Sequence, residues 1–249
     1  MRAMTNTTAH LRRAGDSAWL VDFGERTDDA VNNAAIAFDR WLTDQAIEGV
    51  VETAPTIRSV LVRFDPLALD GETLAERLRA GLAERDWLQA SPPAGRRRWR
   101  LPVVYGGEHG PHLAEIAHQR GVDEATLVAA HSARAHRVRM VGFAPGFVYT
   151  GMLDAAWDLP RRSEVVARVP PGTIAVAVRQ TVLTSTTIPT GWRLIGRTPW
   201  RAFALDREPP FALAAGDELV FEPIAAADYD RLAADAEAGR DIVTAEPVA

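Results

Sequence analysis

The spacing of apolar residues along the chain predicts two different kinds of architecture in its two parts. Ala18 to Phe23 is an apolar run of strand length, and Asp28 to Gln45 follows with Val31, Ala34, Ala35, Phe38, Trp41 and Leu42 recurring at helical spacing. Gly49 to Thr53 and Ile57 to Phe64 flank the turn signal Ala54-Pro55. The second of these runs alternates Ile57, Ser59, Leu61 and Arg63 against Arg58, Val60, Val62 and Phe64, the period of a strand with one buried face. Asp70-Gly71 opens a second helix with Leu74, Leu78 and Leu82 on one face and Trp87 near its end. The order strand, helix, strand, strand, helix predicts an N-terminal α/β sandwich of ferredoxin-like type over residues 1–90.

Ser91-Pro92-Pro93-Ala94-Gly95 neither propagates a helix nor pairs well in a sheet, so a linker is placed at 91–95 and a second domain at 96–249. After a strand at Arg100 to Val104, Leu113 to Gln119 and Glu124 to His131 read as short helices, the second capped by Asp123. From Arg137 onward the pattern shortens. Runs such as Thr173 to Val178, Trp192 to Ile195 and Glu218 to Phe221, separated by Pro-Gly, Thr-Gly and Gly-Asp turns, predict a β-barrel. Ala225 to Ala238 reads as a final surface helix, and the acidic tail after Gly239 is expected to fray. The expected class is therefore α+β.

Composition narrows the function more than the fold. A chain of 249 residues that is 47% hydrophobic can build two compact cores. Its net charge of -5 argues against nucleic acid as a partner, because phosphate backbones are held by clustered positive charge. The one basic cluster, Arg96-Arg97-Arg98-Trp99-Arg100, is read as a solvated lead into a strand. The absence of cysteine excludes disulfides, thiolate metal sites and thiol catalysis. Every basic residue is arginine, which excludes a P-loop lysine and Schiff-base chemistry. Met1 to His10 holds no apolar run of signal-peptide length and no stretch approaches 18 apolar residues, so a cytoplasmic protein without a membrane partner is expected.

Candidate chemistry is concentrated between Met140 and Phe203, where glycines and prolines of turn type adjoin aromatics and arginines. Pro145-Gly146, between Phe143 and Phe147, is a natural turn. It reads either as a hairpin tip packed by its two aromatics, or as the rim of a pocket or docking surface shared with Tyr149, Trp157 and Trp192. Arg161, Arg162 and Arg197 with Thr198 are the anion-contact candidates, because guanidinium forks match carboxylate and phosphate oxygens at any working pH. Gln180 and Thr181 offer amide and hydroxyl hydrogen bonds. Five of the six histidines lie between His109 and His136. Their spacing lacks the i, i+4 alignment of a helical metal pair, even with Glu115 three residues from both His112 and His118, and no metal is expected. His109 is the histidine proposed for proton transfer.

Read in order, Tyr105-Gly106-Gly107-Glu108, Gly142-Phe143-Ala144-Pro145-Gly146-Phe147, Pro160-Arg161-Arg162, Gln180-Thr181 and Gly191-Trp192-Arg193-Leu194-Ile195-Gly196-Arg197-Thr198-Pro199 form a motif series. It resembles the KipI-like family of 5-oxoprolinase B subunits, also described as allophanate hydrolase subunit 1 and as carboxyltransferase domain, subdomains C and D. The resemblance runs from about Leu11 to Ile224. It implies a cyclophilin-like barrel in the second domain and ATP-dependent opening of 5-oxoproline to glutamate, with allophanate hydrolase and carboxyltransferase reactions as neighbouring chemistries. It also implies a KipA-like partner (the 5-oxoprolinase C subunit, or allophanate hydrolase subunit 2), with ATP bound by this chain or by another subunit. In that scheme His109, Gln180 and Arg197 carry catalysis, Arg161, Arg162, Thr181 and Thr198 bind substrate, and Phe143, Pro145, Gly146, Phe147, Tyr149 and Trp192 shape a pocket or an interface. The alternative that the family offers is a binding protein that inhibits a sensor histidine kinase.

The sequence departs from the family where glycine is usual. A Gly-Gly-Gln-Thr-Gly stretch is replaced by Val178-Arg179-Gln180-Thr181-Val182, and Thr190 precedes Gly191-Trp192 in place of glycine. Side chains therefore stand where backbone could otherwise approach a ligand.

Overall fold

The aspartates that mark helix starts in the sequence do so in the computed structural model: the side chains of Asp28, Asp70 and Asp123 accept hydrogen bonds from the N–H groups of Val31, Thr73 and Thr126. Residues 9–248 are described, and the chain divides into two units between Ala94 and Gly95. The reading of Met1 to His10 falls almost wholly outside the described residues.

In the first unit, β1 (His10–Arg13), β2 (Ala18–Asp22), β3 (Val50–Pro55) and β4 (Ser59–Phe64) form an antiparallel sheet of order β1-β2-β4-β3. The helices α1 (Asp29–Asp44) and α2 (Gly71–Ala83) cover one face. Trp19, Val21, Val60, Val62 and Phe64 point into the same buried cluster as Val31, Phe38, Leu74 and Leu78. Arg63 on the opposite face is exposed and pairs with Glu52. This segregation follows directly from the period-2 alternation of β4. A ferredoxin-like βαββαβ unit draws an outer strand from after its second helix. Here the strand beside β2 comes from in front of it, as β1, which the apolar pattern did not reveal because His10-Leu11-Arg12-Arg13 is mostly charged.

In the second unit, seven strands close into a barrel of order β12-β9-β10-β7-β6-β13-β5, with β12 pairing back to β5. They are β5 (Arg97–Tyr105), β6 (His136–Val141), β7 (Val148–Gly151), β9 (Thr173–Ala177), β10 (Gln180–Leu183), β12 (Arg193–Arg197) and β13 (Glu218–Pro223). The β13–β5 pair is parallel and the others are antiparallel. Leu101, Val103, Val138, Val148, Ile174, Val176, Leu183, Ile195, Leu219 and Phe221 share one buried cluster with Leu113 and Ile116 of α3 (Leu113–Arg120) and Leu127 of α4 (Glu124–Ser132). All five residues of β9 are buried, because its second face packs a separate cluster of Ala175 and Ala177 with Phe147, Val182 and Trp192. The two-stranded antiparallel sheet of β8 (Val166–Val169) and β11 (Ile188–Thr190) closes that cluster through Val169 and Ile188.

The acidic tail is ordered rather than frayed. Helix α5 (Tyr229–Glu237) is followed by β14 (Thr244–Pro247), which pairs antiparallel with β5. The arginine run of β5 meets carboxylates on both neighbouring strands: Arg98 meets Glu218 at 2.7 Å and Arg100 reaches Glu222 at 3.2 Å on β13, and Arg100 reaches Glu246 of β14 at 3.5 Å. Cross-strand opposite charges of this kind stabilise a sheet. Arg96, Arg98 and Arg100 are thus ion-paired within the fold, while Arg97 lies over the Trp99 ring and donates to Ala212 O.

The β9–β10 hairpin turns through two residues, Val178 and Arg179, between the paired Ala177 and Gln180. Both have positive φ, +43° and +62°, as a type I′ turn requires. Valine is β-branched and poorly suited to that region. The turn is held from outside: Val178 N–H donates to Leu159 O (2.7 Å), Arg179 N–H to Trp157 O (3.2 Å), and Leu153 N–H to Arg179 O (2.7 Å). Val178 is 42% exposed, so Val178→Asn removes strain without opening a cavity. It is expected to stabilise the protein by about 1 kcal/mol, read as a higher urea midpoint. Arg179→Gly should come out near neutral, because relief of strain is offset by loss of the Arg179 Nε to Leu153 O bond of 2.8 Å. A lowered midpoint for Val178→Asn would refute the strain assignment.

Candidate functional site

Strand β12 carries arginines at both ends, and the sequence-predicted residues divide between them. Its five residues span about 13 Å at the rise of a β-strand. The register sets Arg193 beside Val176 and Arg197 beside Thr173 on β9, while Gln180 pairs with Ala177 beyond Val176. Gln180 therefore lies toward the Arg193 end, and Arg197 at the other.

At the Arg193 end, the aromatics form a continuous chain. Phe143 lies 5.5 Å from Phe147, Phe147 lies 5.0 Å from Tyr149, and Tyr149 lies 6.1 Å from Trp192, measured between ring centroids. The Arg161 guanidinium sits 5.7 Å over the Trp192 ring, a cation–π geometry. It also acts on Tyr149: burial pushes that phenol's pKa up and the Arg161 charge opposes the rise. Pro145 is exposed and Gly146 buried. Gly146 adopts φ +67°, and a Cβ there would come 2.5 Å from the Phe203 Cβ, so the tip requires glycine. The sequence places Phe143, Phe147, Tyr149 and Trp157 on one exposed face, but only Phe143 is largely exposed, at 72%. Phe147 packs under the two-stranded β8–β11 sheet, and Trp157 lies inside the barrel 5.5 Å from His131.

Arg162 stands next in the chain to Arg161 but in a different electrostatic setting. Its guanidinium pairs with Glu115 and reaches Glu164 at 3.5 Å, and Arg193 reaches the other Glu115 oxygen at 3.5 Å. Burial alone would raise the Glu115 pKa, but Arg162 and Arg193, helped by His112, lower it overall. His112 accepts the Leu194 N–H at Nδ1, 2.9 Å away, and its pKa is pushed down by burial and by the Arg162 charge. Glu115 thus joins α3 to the Pro160–Arg162 loop and to β12. Among the described residues, Arg161 meets no carboxylate within ion-pair distance, and at the β9–β10 turn of the same end Arg179 meets none either, its Nε donating to Leu153 O.

Gln180 begins β10, its side chain against Gly151, and beside it the Arg139 Nε donates to Gly151 O at 3.0 Å. Thr181 points the other way, into the barrel. Its hydroxyl lies 3.0 Å from His131 Nε2, and its carbonyl accepts from Thr150 Oγ1 at 3.1 Å. His131 Nδ1 meets the Tyr105 hydroxyl at 2.8 Å, and His136 Nε2 donates to His131 O at 2.7 Å. The two imidazoles lie 4.4 Å apart and tilted by 39°, with Phe221 stacked on His131 and edge-on to His136. These histidines are wholly buried partners in a polar relay across the barrel interior, a role that their sequence spacing did not indicate. Among the described residues no group of three or more His, Cys, Asp and Glu side chains is arranged to hold a metal ion.

At the far end of β12, Arg197 lies 5.5 Å over the ring of Tyr229, and the His109 ring packs on the same tyrosine at 4.4 Å. Two of the three residues proposed for catalysis therefore both contact Tyr229, and Gln180 stands apart from them. Thr198 is buried; its N–H donates to Gly172 O at 2.8 Å and its hydroxyl accepts from Trp200 N–H at 3.2 Å. Those bonds fix the strand end, so Thr198 acts structurally here.

A seven-stranded mixed barrel with an arginine-bearing strand at its closure defines the class of protein. Residues 9–213 match the family described as carboxyltransferase domain, subdomain C and D, and the chain belongs to that family. The 5-oxoprolinase B subunit of Bacillus subtilis (strain 168) is 31% identical over 229 residues, 88% of this chain and 94% of that protein. Among solved structures, TTHA0988 superposes with a TM-score of 0.71 at 27% identity, covering 87% of this chain and 40% of its own length. The Kluyveromyces lactis urea carboxylase superposes with a TM-score of 0.80 over 96% of this chain, which spans 24% of that larger protein; at 18% identity it shows the shared fold. The matched family segment stops before Tyr229, the residue that joins His109 to Arg197. Among the described residues, no helix is long and apolar enough to cross a membrane.

Proposed function

We propose that this chain is one subunit of a 5-oxoprolinase-type amidohydrolase, which opens 5-oxoproline to glutamate at the expense of ATP and acts together with a KipA-like subunit. Family membership and the similarity to the 5-oxoprolinase B subunit support this reading. The observation that carries the site is Arg161: an exposed guanidinium on an aromatic ledge with no carboxylate partner, beside two arginines that share Glu115. A carboxylate-bearing lactam supplies what this position lacks, an anion for the fork and an apolar ring edge for Trp192 and Tyr149. Gln180, at the same end of the barrel, hydrogen-bonds the amide. The side chains of this end offer no activated serine, cysteine or lysine, so the chain contributes binding and electrostatic stabilisation. The exposed Phe143 at the rim is the contact offered to the partner subunit. ATP is bound within the assembled complex.

The test is co-expression with the KipA-like subunit, followed by an ATP-dependent 5-oxoproline assay on the purified assembly. Turnover that requires both chains supports the proposal. A stable assembly that does not turn over 5-oxoproline with ATP, or chains that never assemble, would refute it. The histidine-kinase-inhibitor reading draws on the same exposed Phe143, and it is separated by assaying autophosphorylation of a sensor kinase with this chain added alone.

A further inference from the structure

We infer that Glu115 is a positioning residue for Arg161: by bridging Arg162 and Arg193 it docks the 160–162 loop on the Gly191-Trp192 link between β11 and β12, and so holds the Arg161 guanidinium over the Trp192 ring. The consequence for substrate rests on the 5-oxoprolinase reading, whereas the geometry does not. Glu115 projects from the first turn of α3, and its two oxygens are divided. One takes the Arg162 guanidinium; the other faces Arg193 Nε at 3.5 Å and accepts from Gln119 Nε2 at 3.1 Å. Backbone groups hold the same loop. Arg162 N–H donates to Gly191 O at 2.7 Å, Arg193 donates to Pro160 O, and Arg120, at the end of the same helix, donates to Asp158 O at 3.0 Å.

A Cβ on Gly191 would come 3.1 Å from Arg162 O and 4.0 Å from the Arg161 Cβ, so the loop lies directly against the link that bears Trp192. An exposed arginine samples many rotamers, and the Trp192 ledge confines them only while the backbone that carries Arg161 stays in place. Glu115 supplies that constraint. Arg193 is 7% exposed and fixed in β12, whereas Arg162 is half-buried and belongs to the loop. Without Glu115 the two guanidiniums that now share it repel, and the loop is the side free to move. Arg162 would keep only the exposed Glu164 at 3.5 Å, two residues along the same segment, which ties it to neither α3 nor β12.

The first arm of the test uses the chain alone, without substrate. Nuclear Overhauser contacts between the Arg161 side chain and the Trp192 ring protons are expected in the parent chain and should be lost in Glu115→Gln, an isosteric change that ends both ion pairs. Arg162→Gln breaks the bridge from the loop side while Arg193 keeps Glu115, so it gives the same readout should Glu115→Gln fail to fold. The second arm measures kcat/KM in the two-subunit assembly. Glu115→Gln should lower it about tenfold, the effect of displacing a positioned group. Glu115→Gln combined with Arg161→Ala should fall no lower than Arg161→Ala alone, because residues that act through one group are not additive. A merely structural bridge would lower activity whether or not Arg161 is present. Persistence of the Arg161–Trp192 contacts in both variants, or losses that multiply in the double variant, would overturn the inference. A parent assembly without turnover refutes the hydrolase reading instead, and the first arm then decides the inference.

Discussion

Asp217→Ala is expected to destabilise the second unit by about 3–5 kcal/mol, because it orphans three donors at once. The Asp217 carboxylate accepts from the Arg97 N–H at 2.8 Å, the Trp99 indole Nε1–H at 3.2 Å and the Ala214 N–H at 3.1 Å, and the residue is 3% exposed. Its carbonyl accepts from Val138 N–H at 2.7 Å. Asp217 thereby fixes the start of β13 against β5 and β6 where the parallel pair enters the barrel. A domain's whole stability is of order 5–15 kcal/mol, so the loss should appear as a large fall in the urea midpoint. Asp217→Asn keeps one acceptor oxygen and should fall between the two. An unchanged midpoint for Asp217→Ala would show that these donors find other partners.

The second large effect is acid sensitivity. Burial is the main cause that pushes the His136 pKa down to about 4, with the Arg134 charge adding to it and the bond to His131 O opposing. His131, buried against His136 and near Arg134, is shifted in the same direction. In the unfolded chain both take up protons near the ordinary histidine value of about 6.5. Between that pH and about 4 the unfolded state binds more protons than the folded one, so stability is complete above the upper limit and is lost as pH falls. His136 alone contributes a loss of about 3 kcal/mol by pH 4. Urea unfolding at pH 7.5 and pH 4.5 should show the loss, and His136→Gln, which can still donate to His131 O, should flatten the dependence. Equal slopes for the variant and the parent chain would place the titrating groups elsewhere.

How much was legible follows from the range of each signal. The starts of α1, α2 and α4 could be read because an aspartate cap and a helical apolar stripe are local. The alternation of β4 gave its buried face correctly. β1, β8 and β14 carry charged or short sequences whose strand character comes from their neighbours: Glu246 of β14 stands opposite Arg98 of β5 and is reached diagonally by Arg100 at 3.5 Å. The motif residues of the site were identifiable in sequence, but not their distribution. A run from Trp192 to Thr198 reads as one unit, yet as a strand it carries Arg193 and Arg197 to opposite ends. Glu115, noted in the sequence only for its spacing from His112 and His118, is the carboxylate that Arg162 and Arg193 share, an arrangement made only when α3 meets β12. Thr181 and His131 meet inside the barrel for the same reason. The substituted glycines also acquired meanings that spacing could not show. Val178 and Arg179 form the hairpin corner, and Val182 fills the cluster beneath Trp192.

The most direct test of the account is Arg161→Ala in the reconstituted two-subunit assembly. Removing a guanidinium that holds the substrate anion should lower kcat/KM for ATP-dependent 5-oxoproline opening by about 100-fold or more. Assembly and thermal midpoint should stay unchanged, since Arg161 is exposed and bonds no carboxylate of the fold among the described residues. Undiminished kcat/KM in an intact assembly would contradict the account.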